Sequence, residues 1–136
     1  MWLSHSDVPE EHVPENMRLR ASKMNHLDMH SRCSVDLALG LVGGKWKPLI
    51  IYRLREGTLR FGQLQRAIPD VTQRMLTLQL RELESDGLVI RTVYPEVPPK
   101  VEYRLAQPAL SLVPILESLG LWMQAHHVEL KRVVGS

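Results

Sequence analysis

The chain has 136 residues, a net charge of +2, 44% hydrophobic residues and a single cysteine. This length holds one domain with a buried core plus an arm. An intrachain disulfide is excluded, and so is a membrane-spanning helix, because Lys, Arg, Gly or Pro interrupts every apolar run. The opening MWLSHSDVPEEHVPENMRLR lacks the apolar stretch of a secretory signal, so a cytoplasmic setting is expected.

Residues 1–30 are polar, contain Pro9 and Pro14, and hold four of the six histidines. They are expected to form a mobile arm with a short helix near Glu15–Lys23. Residues 31–136 are expected to form the folded domain. Ser34 is the expected cap of a helix through Val35–Val42, ended by Gly43. A second helix begins near Lys45, takes Pro48 in its first turn and stops at Gly57. Thr58–Phe61 is a candidate short strand. A third helix, Gln63–Ile68, starts from Gly62 and is cut off by Pro69. Thr72 caps a fourth, Gln73–Ser85, which Asp86-Gly87 stops. Leu88–Tyr94 and Val101–Leu105 are rich in β-branched and aromatic residues and read as the strands of a hairpin. Pro95, Pro98 and Pro99 stiffen its tip, with Lys100 at the edge. A long helix from about Ala109 to Val133 closes the chain.

Two short helices joined by Pro69-Asp70-Val71 and followed at once by a hairpin define an α+β class. The expected architecture is a winged helix-turn-helix, mostly helical, with a β-hairpin wing and a C-terminal dimerisation helix. On the fourth helix, Leu76, Leu80 and Leu83 share one face and point to the core. The opposite face carries Arg74, Leu78 and Arg81, with Thr77 beside them and Thr72 and Gln73 at the N-terminus. Arg can pair with guanine through two hydrogen bonds, Gln can do so with adenine, and Thr can reach either kind of group. Leu78 either meets a thymine methyl or is partly buried.

Residues 45–81 hold eight Lys/Arg against two Asp/Glu, a balance of +6, whereas residues 1–32 stand at −1. Such a concentration is a candidate phosphate footprint. A solvated helix face has the same composition; the order of helix, turn, polar-faced helix and basic-tipped hairpin is what points to double-stranded DNA. On the hairpin, Arg91, Lys100 and Arg104 are candidates for phosphate or minor-groove contact. Arg91 and Arg104 could instead pair with Glu102 across the strands.

Leu112, Leu116, Leu119, Met123, His126, Leu130 and Val133 alternate four- and three-residue spacing, while Ile115, Leu121, Trp122 and Val128 lie off that seam. So broad an apolar surface suits burial on two sides, against the domain and against a second copy. Leu112, Leu116, Leu119, Trp122, Met123 and Leu130 are the expected dimerisation residues. No metal or cofactor is expected: His126 and His127 point to different faces, and no Cys/His spacing matches zinc. Trp46 reads as a core residue. No Ser/His/Asp set, carboxylate pair or phosphate loop supports catalysis, and Gly43-Gly44-Lys45 reads as a turn.

The run Cys33–Leu39, GGKW (Gly43–Trp46), RF (Arg60–Phe61), LRELESDGLV (Leu80–Val89) and RTVYPEVPPKVEY (Arg91–Tyr103) resembles the HxlR-type winged helix-turn-helix regulators, a MarR-like group. The resemblance covers roughly Arg32 to His126. It implies a homodimer joined through terminal helices, acting as a bacterial repressor or activator of transcription without enzymatic chemistry. In some members a cysteine before the first core helix senses electrophiles or oxidants, and Cys33 occupies that position. A sulfur at a helix N-terminus, beside Arg32, is favoured as thiolate; the other reading of Cys33 is a small core residue. The chain departs from the family at Gly62, where a serine cap is usual, and at Leu78, where glutamine is common. It departs again at Leu105-Ala106-Gln107-Pro108-Ala109, where Leu-Thr-Pro-Leu-Gly is usual. The expected function is a homodimeric, sequence-specific DNA-binding regulator. The alternative is a winged-helix module for protein–protein contact, which would lack the steep salt dependence of phosphate binding.

Overall fold

The structure, a computed structural model, describes residues 33–130, so the arm expected over residues 1–30 lies outside the described residues. The elements are α1 (Ser34–Val42), α2 (Trp46–Arg53), β1 (Leu59–Arg60), α3 (Phe61–Ala67), α4 (Gln73–Ser85), β2 (Val89–Tyr94), β3 (Lys100–Leu105), α5 (Gln107–Leu110) and α6 (Val113–His126). The strands form one antiparallel sheet in the order β1-β3-β2.

The core lies where α2, α3 and α4 meet the base of the sheet. Ile50 and Ile51 of α2 with Leu54 just after it, Leu64 of α3, and Leu76, Leu80 and Leu83 of α4 are fully enclosed. Ile68, Val71, Leu88, Val89, Leu105 and Ala109 complete the cluster. Each such aliphatic side chain contributes about 1.5–3 kcal/mol on burial, so the α4 leucines alone hold that helix firmly. Trp46, half-buried, packs against the same cluster, and the Lys45 ammonium lies 4.7 Å from the centre of its ring.

Local chemistry sets the boundaries of α4. The Thr72 hydroxyl accepts a hydrogen bond from the Met75 amide at 3.0 Å, which satisfies one of the free N–H groups of the first turn. At the other end Gly87 takes φ +78°, a left-handed conformation that glycine adopts without a Cβ penalty. The turn from α3 is held by Val71, which is buried and donates its amide to the Ile68 carbonyl.

Four boundaries differ from expectation. Cys33, rather than Ser34, is the N-cap residue of α1, and no side chain caps that helix. The third helix begins at Phe61 with Arg60 as N-cap, so Gly62 lies inside it. The Arg60 amide instead donates to the Gln63 side-chain oxygen at 2.8 Å, a bond that reaches back from within the helix. The second helix ends at Arg53, followed by a turn. The long C-terminal helix expected from about 109 to 133 is two helices: α5 seats Ala109 in the core, and α6 runs only from Val113 to His126. Pro108 and Pro114 each lie in the first turn of their own helix, where proline's missing N–H removes no bond. Leu130 therefore lies beyond α6, and residues 131–133 are outside the described residues.

Lys47, in the first turn of α2, is 7% exposed, and its Nζ lies 2.7 Å from Glu82 Oε1 on α4. Removing one partner of an enclosed pair strands the other charge. Glu82→Ala should therefore destabilise the fold by about 3 kcal/mol, with part of the usual penalty relieved by the solvent that reaches Glu82. Urea denaturation read by circular dichroism checks this, as a lower midpoint at unchanged slope.

Candidate nucleic-acid interface

With Leu76, Leu80 and Leu83 turned inward, Gln73, Arg74, Leu78 and Arg81 emerge on the opposite side of α4, all exposed. Leu78 is 48% exposed, so its isobutyl group faces solvent and is not a core contact. Among the described residues neither Arg74 nor Arg81 is held in an ion pair, and both guanidiniums are available to a partner. The two threonines are more constrained. Thr72 serves the cap, and Thr77 donates its hydroxyl to the Gln73 carbonyl at 2.8 Å. Each keeps further hydrogen-bonding capacity, since a hydroxyl carries one donor and two acceptor sites.

The hairpin stands beside α4. Its two strands pair over six residues each, from Val89 opposite Leu105 to Tyr94 opposite Lys100. At about 3.4 Å per residue they carry the Pro95–Pro99 tip roughly 20 Å out from the core. Val97 at the tip is fully exposed.

The wing cations are placed unequally. Arg91 Nε lies 3.4 Å from Glu84 Oε1, tying β2 to the last turns of α4 rather than pairing with Glu102. Lys100, not an arginine, is the partner of Glu102, at 3.5 Å, and its ammonium lies 4.7 Å from the centre of the Tyr94 ring. Arg104 is exposed and, among the described residues, in no ion pair. A hydrogen bond to the Glu102 carboxylate, reinforced by its negative field, raises the Tyr94 phenol above its ordinary pKa. Burial raises that of Tyr103, on the opposite face of the sheet.

Two readings of charge in the sequence are revised by this geometry. Lys47, counted with the basic residues of 45–81, is enclosed and bound to Glu82, so it leaves the exposed footprint. Glu102, the expected partner of Arg91 or Arg104, pairs with Lys100, and Arg91 pairs with Glu84. Strand alternation shows Lys100 and Glu102 on one face, but nothing local announces the Arg91–Glu84 contact between strand and helix.

Cys33 is exposed at the N-cap of α1, so its sulfur is not a core group within the protomer. Among the described residues no three His, Cys, Asp or Glu side chains are grouped to hold a metal ion, and no helix is long and apolar enough to cross a membrane. His126 stacks on Trp122 with ring centres 5.1 Å apart.

Helix, turn, outward-facing helix and wing together make this a winged helix-turn-helix protein. Residues 41–131 match the family described as HxlR-like helix-turn-helix, and the chain belongs to that family of transcriptional regulators. An HTH-type transcriptional regulator of Methanothermobacter thermautotrophicus is 54% identical over 99 residues, spanning 71% of this chain and 76% of the relative. Among solved structures, the redox regulator HypR in its oxidised form is similar with a TM-score of 0.65 and 48% identity, over 68% of this chain and 96% of HypR. The reduced transcriptional regulator YodB of Bacillus subtilis is similar with a TM-score of 0.60 and 35% identity, over 68% of this chain and 91% of YodB. YodB has also been solved after diamide treatment.

Proposed function

We propose that the protein is a homodimeric, sequence-specific DNA-binding regulator of transcription, without catalytic activity and working in the cytoplasm, in which α4 enters the major groove. The exposed face of α4 carries this reading. Gln73, Arg74, Leu78 and Arg81 occupy it while three buried leucines fix the helix from behind. Gln73, Arg74 and Arg81 supply donors for base edges and phosphates, and Leu78 an apolar group for a thymine methyl. Thr72 and Thr77 add hydroxyls at the N-terminal end, the part of a reading helix that contacts bases. Arg104 is the wing cation best placed for a phosphate. Arg91 and Lys100 reach one only by leaving their carboxylates.

A second copy is the proposed cover for α1 and α6. Val35 and Leu39 of α1 and Ile115, Leu119, Leu121 and Trp122 of α6 are exposed apolar residues on the first and last described helices. Between α2 and α6 runs a groove of about 670 Å3, lined by Pro48, Leu49, Tyr52, Leu119, Trp122 and Met123. Leu112 and Leu116 are partly buried against the domain core, and Leu116 also lines this groove, so the two adjoin the proposed dimer contacts Leu119, Trp122 and Met123. Leu130 follows the helix and adds to that surface only from the succeeding turn.

Cys33 is proposed as an oxidant-responsive thiol. Its exposure supports this, as does the likeness to HypR, a redox regulator, and to YodB. Two Cys33 thiols of a dimer would join as a disulfide, or one would join a small thiol as a mixed disulfide, in either case with two electrons and two protons passing to the oxidant. Either product would alter the spacing of the two reading helices.

Three outcomes are expected. Arg74→Ala should relax preference at one base pair by roughly 1–3 kcal/mol in a comparison of duplexes selected from a random pool; unchanged specificity would show that α4 is docked otherwise. Leu119→Asp should yield monomers or insoluble protein by light scattering after gel filtration, and a wild type that is monomeric at micromolar concentration would refute the dimer. Diamide should change the DNA affinity of the wild type and leave Cys33→Ser untouched; an effect that survives in the serine variant assigns the response to another group.

A further inference from the structure

Side chains on the sheet alternate between its faces. Tyr103 and Leu105 share the core-facing side with Val89, Arg91 and Leu59. The outer side carries Arg60 of β1, Ile90, Thr92 and Tyr94 of β2, and Lys100, Glu102 and Arg104 of β3. Glu102 lies at the centre of this outer set. It stands opposite Arg60 on one neighbouring strand and Thr92 on the other, with Lys100 and Arg104 two residues away along its own strand. Among the strand residues of that face it is the one carboxylate among three cations.

Its contacts restrain the wing charge. Glu102 Oε2 lies 3.5 Å from Lys100 Nζ, and the lysine side chain is 28% exposed, folded back over the Tyr94 ring instead of reaching into solvent. The same carboxylate raises the Tyr94 phenol above its ordinary pKa. A phosphate approaching this face meets the field of Glu102 and must draw Lys100 away from both the acid and the ring.

We propose that Glu102 is a specificity-determining residue, an internal counter-ion that suppresses sequence-independent phosphate binding by Lys100 and its neighbours Arg60 and Arg104. The inference rests on the DNA-binding reading above. A partly exposed pair is weak. A duplex already held by base contacts along α4 can displace it, whereas one held by charge alone gains less from doing so. Discrimination is then built by penalising the wrong partner as well as by rewarding the right one.

The test measures the affinity of wild type, Glu102→Gln, Glu102→Asp, Lys100→Ala/Glu102→Gln and Glu56→Gln for a random-sequence duplex and for a selected one. Salt is varied between about 50 and 200 mM. Glu56 is an exposed carboxylate after α2, bridged to Arg55 and outside the sheet, so its variant controls for net charge alone. Glu102→Gln should bind the random duplex several-fold more tightly at low salt, with the slope of log affinity against log salt steeper by about 0.9, a gain that falls about threefold across the range. The selected duplex should gain less, Glu102→Asp should behave as wild type, and the double variant should lose most of the gain. A random-duplex affinity in Glu102→Gln no tighter than wild type, or a gain matched by Glu56→Gln, overturns the inference while leaving DNA binding intact. A wild type that binds no duplex in a salt-dependent way ends the DNA-binding reading, and this inference with it.

Discussion

Lys47 and Glu82 meet at 2.7 Å between α2 and α4, and the seating of α4 against α2 depends on that contact. A lysine in the first turn of α2 faces the positive end of its own helix, and its enclosure removes the water that would otherwise solvate it. Glu82 answers both problems. An enclosed pair of this kind adds little net stability over an apolar substitute, but it penalises any arrangement in which the two charges fail to meet. Because Glu82 adjoins Arg81, and successive helical residues are turned by about 100°, anchoring the acid also fixes where Arg81, Leu78 and Arg74 point. The leucines press α4 onto the core and set its inward face; the ion pair ties that same rotation to α2.

A second consequence of packing is the unequal freedom of the cations. Those on α4 are free among the described residues, while Arg91 and Lys100 of the hairpin each have a carboxylate within 3.5 Å. Arg91 is drawn to Glu84 because β2 leaves α4 after a tight turn and runs close to its last residues. The same contact ties the hairpin to the helix.

Much of this was legible from residues close together in the chain. The start of α4 at Thr72 and its end before Gly87 follow from a hydroxyl cap, leucine spacing and a left-handed glycine, all acting within a turn of the residues concerned. The hairpin was legible for the same reason: β-branched strands and a proline-rich tip are local signals. The C-terminal helix was not. Its four- and three-residue spacing begins only at Leu112 and runs on past His126, where α6 ends, while the break before it arises because Ala109 is drawn into the core and the chain must turn before Val113. The starts expected at Ser34 and Gly62 lie one and two residues after the N-caps Cys33 and Arg60: no side chain caps α1, and at α3 the Gln63 side chain reaches back to the Arg60 amide.

The sequence by itself determined the order of elements, the class of fold and which face of α4 turns inward, because helical and strand periodicity depend only on backbone geometry. It also set which residues carry charge. The tertiary structure alone decided which of those charges are committed. Whether Lys47 joins a phosphate footprint or an enclosed pair, and whether Glu102 answers an arginine or Lys100, depends on separations of a few ångströms between elements distant in the chain. Electrostatic attraction falls off with distance and is screened by water, so only the packed arrangement, which sets both distance and exposure, can assign the partners.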